Sequence, residues 1–219
     1  VLQKKQYANF RYAVSISLLL SLVVALFLWY YGRTNSFLII NGAYSAAGDL
    51  FFKYCTYLGD GLIYIPLLIY CIFFNRTFLI PTIASILICL LLTHVLKRIV
   101  FPDVLRPLSL EAQHFLLHKV KGVHINRANS FPSGHTATAF STALLLVTVF
   151  KKKAWAFLLP LVPFLVGYSR VYLAQHFVSD VLGGMLIGIL TAILALWLHP
   201  IITRALPLSL QQRMEKTTL

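Results

Sequence analysis

Three short segments carry the residue types that a phosphoryl transfer needs. The last, over 169–180, reads S-R-V-Y-L-A-Q-H-F-V-S-D. His176 and Asp180 are four residues apart, so on a helix they share a face. A carboxylate there accepts a hydrogen bond from one ring nitrogen, fixes the tautomer and leaves the other nitrogen the better nucleophile. The middle segment, 131–135, reads F-P-S-G-H ahead of an apolar run. Proline and serine are favoured at a helix start. The unpaired N–H groups of a first turn, at the positive end of the helix dipole, form an anion site. Ser133 and Gly134 would meet an oxyanion there, with His135 beside it as an acid. The first segment, 97–107, reads K-R-I-V-F-P-D-V-L-R-P. Lys97 and Arg106, with Arg170 from the last segment, are cations suited to phosphate, and arginine can pair two oxygens at once.

Together these parts describe transfer through a phosphohistidine. His176 attacks phosphorus. Lys97, Arg106, Arg170, Ser133 and the Gly134 N–H neutralise the equatorial oxygens. A protonated His135 gives its proton to the leaving oxygen and then activates water. The cations already neutralise the phosphate, so no metal is needed. No acidic or histidine cluster suggests one, and no cofactor is expected.

Such a site needs helices to hold it. The 219-residue chain is 59% hydrophobic and 11% charged, with a mean hydropathy of +0.80. A soluble domain has roughly 45–50% apolar and about 25% charged residues. Six runs read as membrane crossings, which need ~20 mostly apolar residues. They are 13–31, 61–74, 78–96, 135–150, 154–171 and 177–198. The second is short and borrows from 57–60; the fourth begins inside the middle segment. The first follows a basic start, is long for a cleaved leader and lacks a small-residue cleavage site, so it reads as a retained signal anchor. The connection 32–60 has apolar residues at loosely helical spacing over 36–57, which fits an interfacial amphipathic helix in the first outer loop. The connection 97–133 is polar and basic. The expected fold is all-α: one domain, 1–219, an integral membrane bundle of six transmembrane helices.

With six spans, both termini share a side. That side holds Lys4, Lys5, Arg11, Arg76, Lys151, Lys152, Lys153, Arg204, Arg213 and Lys216 against Glu215 alone. The positive-inside rule then makes the termini cytoplasmic. The three segments, at the outer ends of helices three to six, form an outward-facing active site.

The balance is basic, 19 Lys+Arg against 6 Asp+Glu. In so apolar a chain this argues for anionic headgroups or a phosphorylated substrate, and against nucleic acid. Cys55, Cys71 and Cys89 form no C-x-x-C pair and read as small buried residues. His114, His118 and His124, with Lys119, Lys121 and Arg127, read as a solvated loop or a basic surface for anionic lipid before they read as a metal site. Gly183, Gly184 and Gly188 fit close helix packing. Trp29, Tyr30 and Trp197 fit an interfacial aromatic belt.

The three segments resemble the motifs of the type 2 phosphatidic acid phosphatase family, which shares its site with vanadium haloperoxidases and glucose 6-phosphatase. The family pattern is K-x6-R-P, then P-S-G-H, then S-R-x5-H-x3-D. The second and third match in full at 132–135 and 169–180. Eight residues separate Lys97 from Arg106 instead of six, and seven separate Arg98 from it. Lys97 and Arg106 are the favoured pair, with 101–104 absorbing the extra residues and Arg98 open to sharing the role of Lys97. The resemblance implies His176 as nucleophile, Asp180 as its partner and His135 as acid/base. It also implies a lipid substrate: phosphatidic acid, phosphatidylglycerol phosphate, undecaprenyl pyrophosphate or a lipid A phosphate. The outward site and small size resemble bacterial envelope enzymes of the inner (cytoplasmic) membrane, facing periplasm or exterior. The same site would serve a phosphotransferase. A phospholipid carrier would need the cations but neither nucleophile nor acid, and a structural membrane protein would leave the polar constellation unused. The sequence sets no oligomeric state.

Overall fold

Long apolar runs build helices here, and glycine, proline or polar residues mark the breaks. The computed structural model describes residues 4–150 and 152–215, and among them there are helices and turns but no strand. Lys151 and Lys216, two of the cations that set the expected orientation, lie outside the described residues. Helix α1 (Lys4–Gly42) breaks at Gly32, where φ is 72°, a value that glycine adopts freely and side-chain-bearing residues resist. The first run and the start of the connection 32–60 are therefore two helices joined at one residue. Helix α2 (Ala46–Cys55) is capped by Ser45, whose side chain accepts from the Gly48 N–H. It exposes Leu50, Phe51 and Tyr54.

A tight turn, Thr56–Gly59, follows, and the chain bends at Asp60 before α3 (Tyr64–Phe74). The borrowing expected from 57–60 takes the form of a bent pair, Ala46–Gly59 and Gly61–Phe74, at 59°. Helix α4 (Leu79–Val95) runs into a wide π-helical turn, Leu96–Val100. After the long connection 101–133 come α5 (Gly134–Val149), α6 (Ala154–Leu158), α7 (Leu161–Tyr172), α8 (Val178–Ala205) and α9 (Leu208–Glu215). Four helical stretches are long and apolar enough to cross a membrane: Lys4–Gly42, Arg76–Val100, Ala154–Tyr172 and Val178–Ala205. The bent pair raises this to as many as five, and α5 adds a shorter apolar helix.

Helix α5 is central. Ala137, Phe140, Leu144, Leu145 and Val147 are buried around its circumference, as are Thr136, Ser141 and Thr148. A helix covered on all sides has no polar face to keep. Helix α8 lies against it through glycine. A Cβ at Gly184 would stand 2.5 Å from the Ser133 carbonyl oxygen, and one at Gly188 would stand 2.6 Å from that of Ala137. The close packing expected of these glycines is thus backbone against backbone. The surroundings are apolar and outward-facing: Leu19 and Leu22 on α1, Phe73 on α3, and Leu87 and Leu91 on α4 are exposed. So are Trp29, Tyr30 and Trp197. The cysteines are free, Cys71 and Cys89 buried and Cys55 partly so.

Any side chain at Gly188 must displace backbone, and overpacking of this kind costs ~1–3 kcal/mol. Gly188→Val is expected to lower the thermal unfolding midpoint in detergent by several degrees. Leu190→Val, on the exposed face of the same helix, is expected to leave it in place. Scanning fluorimetry of both variants provides the check.

Candidate active site

Helix α7 ends at Tyr172 and the chain turns sharply. Ala174 is buried in the left-handed region, φ 54°, and the N–H groups of Gln175 and His176 both donate to the Arg170 carbonyl. An alanine held there stores about 1–3 kcal/mol of strain. The turn delivers His176 to the foot of α8, just before the helix begins. The pair therefore does not meet on a shared helical face, as the four-residue spacing suggested. Asp180, in the first turn of α8, folds back toward the preceding segment. Its Oδ2 accepts from the Phe177 N–H at 2.9 Å, the Ser130 hydroxyl at 2.5 Å and His176 Nδ1 at 3.4 Å. One carboxylate thus caps the helix and orients the imidazole, leaving His176 Nε2 for chemistry. Burial pushes the His176 imidazole down to about 3, with Arg170 and Arg106 acting the same way and Asp180 opposing them.

The P-S-G-H segment is fastened to the same turn. The Ser133 N–H donates to the Asp180 carbonyl at 2.9 Å. Ser133 is the N-cap of α5, fully buried, with its hydroxyl engaged by Thr136. What the segment presents to open space is backbone: a Cβ at Gly134 would meet nothing within 4 Å. An oxyanion could reach the first N–H groups of α5 there.

Three cations surround this point. Arg106 is buried, and its guanidinium donates to the carbonyls of Ala128 (Nε, 3.0 Å), Gln175 (Nη1, 2.9 Å) and Asn129 (Nη2, 3.4 Å). Each terminal nitrogen keeps one N–H to spare. Backbone bonds from Arg106 to Arg127 and from Ser130 to Val104 tie the two arms of the long connection together behind it. Arg170 is 5% exposed; its Nη1 donates to Thr56 Oγ1 at 2.6 Å, while its Nε is buried without a partner. Lys97, partly buried in the π-helical turn, is within electrostatic reach of Arg106, Arg170 and Asp180, whereas Arg98 is exposed. The longer spacing to Arg106 is taken up by that turn, which Phe101 N–H closes onto the Leu96 carbonyl, and by the non-helical stretch 101–105.

His135 stands across from these groups, partly exposed, with Nε2 3.6 Å from Asp60 Oδ2. A cavity of about 390 Å³ opens beside it between α3 and α4, lined by Tyr64, Ile65, Leu68, Ile86, Leu90 and Gly134 among others. The structure thus gathers all eight sequence-predicted residues at one end of α5 and α8. It adds three that the sequence did not suggest: Thr56, Asp60 and Ser130. None sits in a recognisable motif; each is an ordinary residue made relevant by the packing of a distant segment. Two histidines of the long connection take separate partners. His118 Nε2 lies 2.7 Å from Asp49 Oδ1 and its ring stacks on Tyr44, while His124 faces Asn126. No group of three His, Cys, Asp or Glu side chains fit to hold a metal ion occurs among the described residues.

An oriented imidazole with a free nitrogen, clustered cations, a helix start and a second imidazole make a set able to bind and cleave a phosphate ester. The family model described as "PAP2 superfamily" matches residues 78–204, more than half of the chain. The crystal structure of Aquifex aeolicus LpxE is similar at 35% identity and a TM-score of 0.65, covering 75% of this chain and 94% of that one. The crystal structure of a transmembrane PAP2-type phosphatidylglycerolphosphate phosphatase from Bacillus subtilis is similar at 25% identity and a TM-score of 0.57, covering 91% and 98%. The bacitracin transport permease protein BcrC of Bacillus licheniformis is 40% identical over 72 residues, 33% of this chain and 34% of that protein. Further relatives include a lipid A 1-phosphatase of Porphyromonas gingivalis and an undecaprenyl-diphosphatase of Bacillus subtilis. The chain spans about a third or less of the length of the curated relatives it matches first.

A folded-state value near 3 for His176, against ~6.5 in an unfolded chain, means the unfolded state binds the extra proton between these limits. This contribution to stability is complete above about pH 6.5 and is lost as pH falls toward 3. In ¹⁵N-imidazole spectra, His176 is expected to stay neutral, protonated on Nδ1, down to about pH 5. A titration centred near 6.5 would contradict the buried geometry.

Proposed function

This chain belongs to the PAP2 superfamily, and on that premise we propose that it is a single-domain membrane phosphatase that hydrolyses a lipid phosphate through a phosphohistidine. The observation that carries the reading is the contact of Asp180 Oδ2 with His176 Nδ1, which leaves Nε2 free, beside an Arg170 whose buried Nε has no partner. A phosphate oxygen would satisfy that donor.

In the first step, the lone pair of His176 Nε2 attacks phosphorus in line with the leaving oxygen. The P–O bond to the lipid breaks, and the leaving oxygen keeps its electrons and takes a proton from His135. Asp180 stays ionised and holds Nδ1–H. Lys97, Arg106, Arg170 and the N–H groups at Gly134 offset the charge on the equatorial oxygens, with Ser133 holding the helix start in place. In the second step, water attacks the phosphorus and gives its proton to His135. The P–N bond breaks, Nε2 recovers its lone pair and orthophosphate leaves.

The apolar cavity between α3 and α4, open beside His135, suits the hydrocarbon part of a substrate whose headgroup reaches the cations. The substrate class is a lipid phosphomonoester or pyrophosphate: phosphatidic acid, phosphatidylglycerol phosphate, undecaprenyl pyrophosphate or a lipid A phosphate. The relatives named for lipid A, undecaprenyl and phosphatidylglycerol phosphates support this range. In the membrane the bundle has six spans, counting the bent pair and α5, with cytoplasmic termini and the site outward in a bacterial inner membrane. Helix α2 lies at the outer interface on its exposed Leu50, Phe51 and Tyr54. Alkaline phosphatase fused after Lys121 is then expected to be active in a bacterial host, and the same enzyme fused to the C-terminus inactive.

The chemistry is tested by phosphate release from a panel of these lipids by purified protein in detergent with excess chelator. Wild-type protein is expected to release phosphate from at least one lipid. His176→Ala should lose at least about a thousandfold, and wild-type protein quenched during turnover should carry acid-labile phosphate on His176. A folded protein that binds these lipids without releasing phosphate would replace the phosphatase reading with a carrier.

A further inference from the structure

Residues 56–60 lie outside the stretch matched by the family, 78–204, yet they touch the site three times. Thr56 Oγ1 accepts from Arg170 at 2.6 Å. Gly59 is packed so closely on the start of α5 that a Cβ would stand 2.5 Å from the His135 carbonyl oxygen. One residue on, at the bend before α3, Asp60 Oδ2 lies 3.6 Å from His135 Nε2.

The bend holds Asp60 firmly. Its N–H donates to the Tyr57 carbonyl, its own carbonyl accepts from the Ile63 N–H, and Oδ1 accepts from the Leu62 N–H at 3.0 Å. With Oδ1 engaged as a cap, Oδ2 is the oxygen available to the imidazole. The other charges facing His135 are all positive: Arg170 from α7, Lys97 from the end of α4 and Arg106 from the outer connection. Tyr64 of α3, uncharged, lines the same cavity. An imidazolium among three cations needs an anion in contact with it, and Asp60 is the carboxylate placed to provide one. Both side chains are about one-third exposed, 32% for His135 and 35% for Asp60, so the pair sits where water can enter. At 3.6 Å it is an ion-pair contact that substrate binding can tighten.

We propose that Asp60 is the positioning residue of the acid/base step, holding the His135 imidazolium by Nε2–H so that Nδ1–H is presented to the oxygen leaving phosphorus. The inference rests on the phosphatase reading. As the P–O bond breaks, the leaving oxygen takes the Nδ1 proton and Asp60 stays ionised. Neutral His135 then accepts a proton from the attacking water, and the ion pair re-forms as phosphate departs from His176 Nε2.

Asp60→Asn keeps the capping oxygen and removes the charge, which makes it the decisive variant. For an alkyl phosphate, whose leaving oxygen needs a proton, kcat/KM is expected to fall about ten- to a hundredfold. The alkaline limb of its pH profile should move about one unit to lower pH. For p-nitrophenyl phosphate, whose leaving oxygen needs none, the fall should stay under about threefold. Asp60→Glu should restore part of the alkaline limb. An equal loss on both substrates, or an unmoved pH profile, overturns the proposal. If size-exclusion chromatography shows Asp60→Asn unfolded, Asp60→Ser, which keeps a capping oxygen, takes its place with the same expectations. Failure of the underlying phosphatase reading looks different: wild-type protein releases no phosphate, or His176→Ala still does, and the proposal for Asp60 falls with it.

Discussion

Three donors from two segments, residue 130 and the turn 176–177, converge on one oxygen, Oδ2 of Asp180. The Phe177 N–H starts α8, His176 Nδ1 sets the imidazole, and the Ser130 hydroxyl fixes the end of the long connection ahead of α5. The same residue's carbonyl takes the Ser133 N–H and so sets the start of α5. A carboxylate 1% exposed is costly unless its lone pairs are used. Here the requirement to satisfy it and the requirement to aim a histidine are met by one arrangement. Removing the carboxylate would leave three buried donors without a partner and uncap the start of α8.

The cations are arranged on the same principle. Arg106 is held by three backbone carbonyls and Arg170 by Thr56. Neither has to reorganise when an anion arrives, which is the condition under which fixed charge lowers a barrier most. The crowding of Lys97, Arg106 and Arg170 is unfavourable by itself and would become favourable around the multiply charged phosphate of the proposed reaction. Close contact of α5 and α8 through Gly184 and Gly188 gives these groups a stiff base.

Much of this was legible in the sequence, because chemistry at a helix end leaves local marks. Pro132, Ser133, Gly134 and His135 announce a capped helix with an anion site, and the spacing of His176 and Asp180 announces a pair. The apolar runs fall on observed helices, although the fifth is divided into α6 and α7, and Gly32 falls where the first helix breaks. What sequence cannot carry is contact between distant segments. Thr56, Asp60 and Ser130 are ordinary polar residues until the bend at residue 60 and the paired arms of the long connection bring them to the site. Local rules also misjudged how His176 meets Asp180. Helical spacing predicted the contact, but a strained turn at Ala174 and a folded-back cap produce it. Lys97 and Arg98 were indistinguishable by count; only the direction of the π-helical turn separates the inward residue from the exposed one.

The cavity between α3 and α4 opens through the side of the bundle, next to His135. A substrate that keeps its tail there need never pass through water. The quantity that governs encounter is then its mole fraction in the surrounding film of lipid or detergent, not its amount per litre. Under the proposed function such a catalyst would survey a plane, and inert amphiphile spread through that plane would compete with it as a diluent even when it never occupied the site.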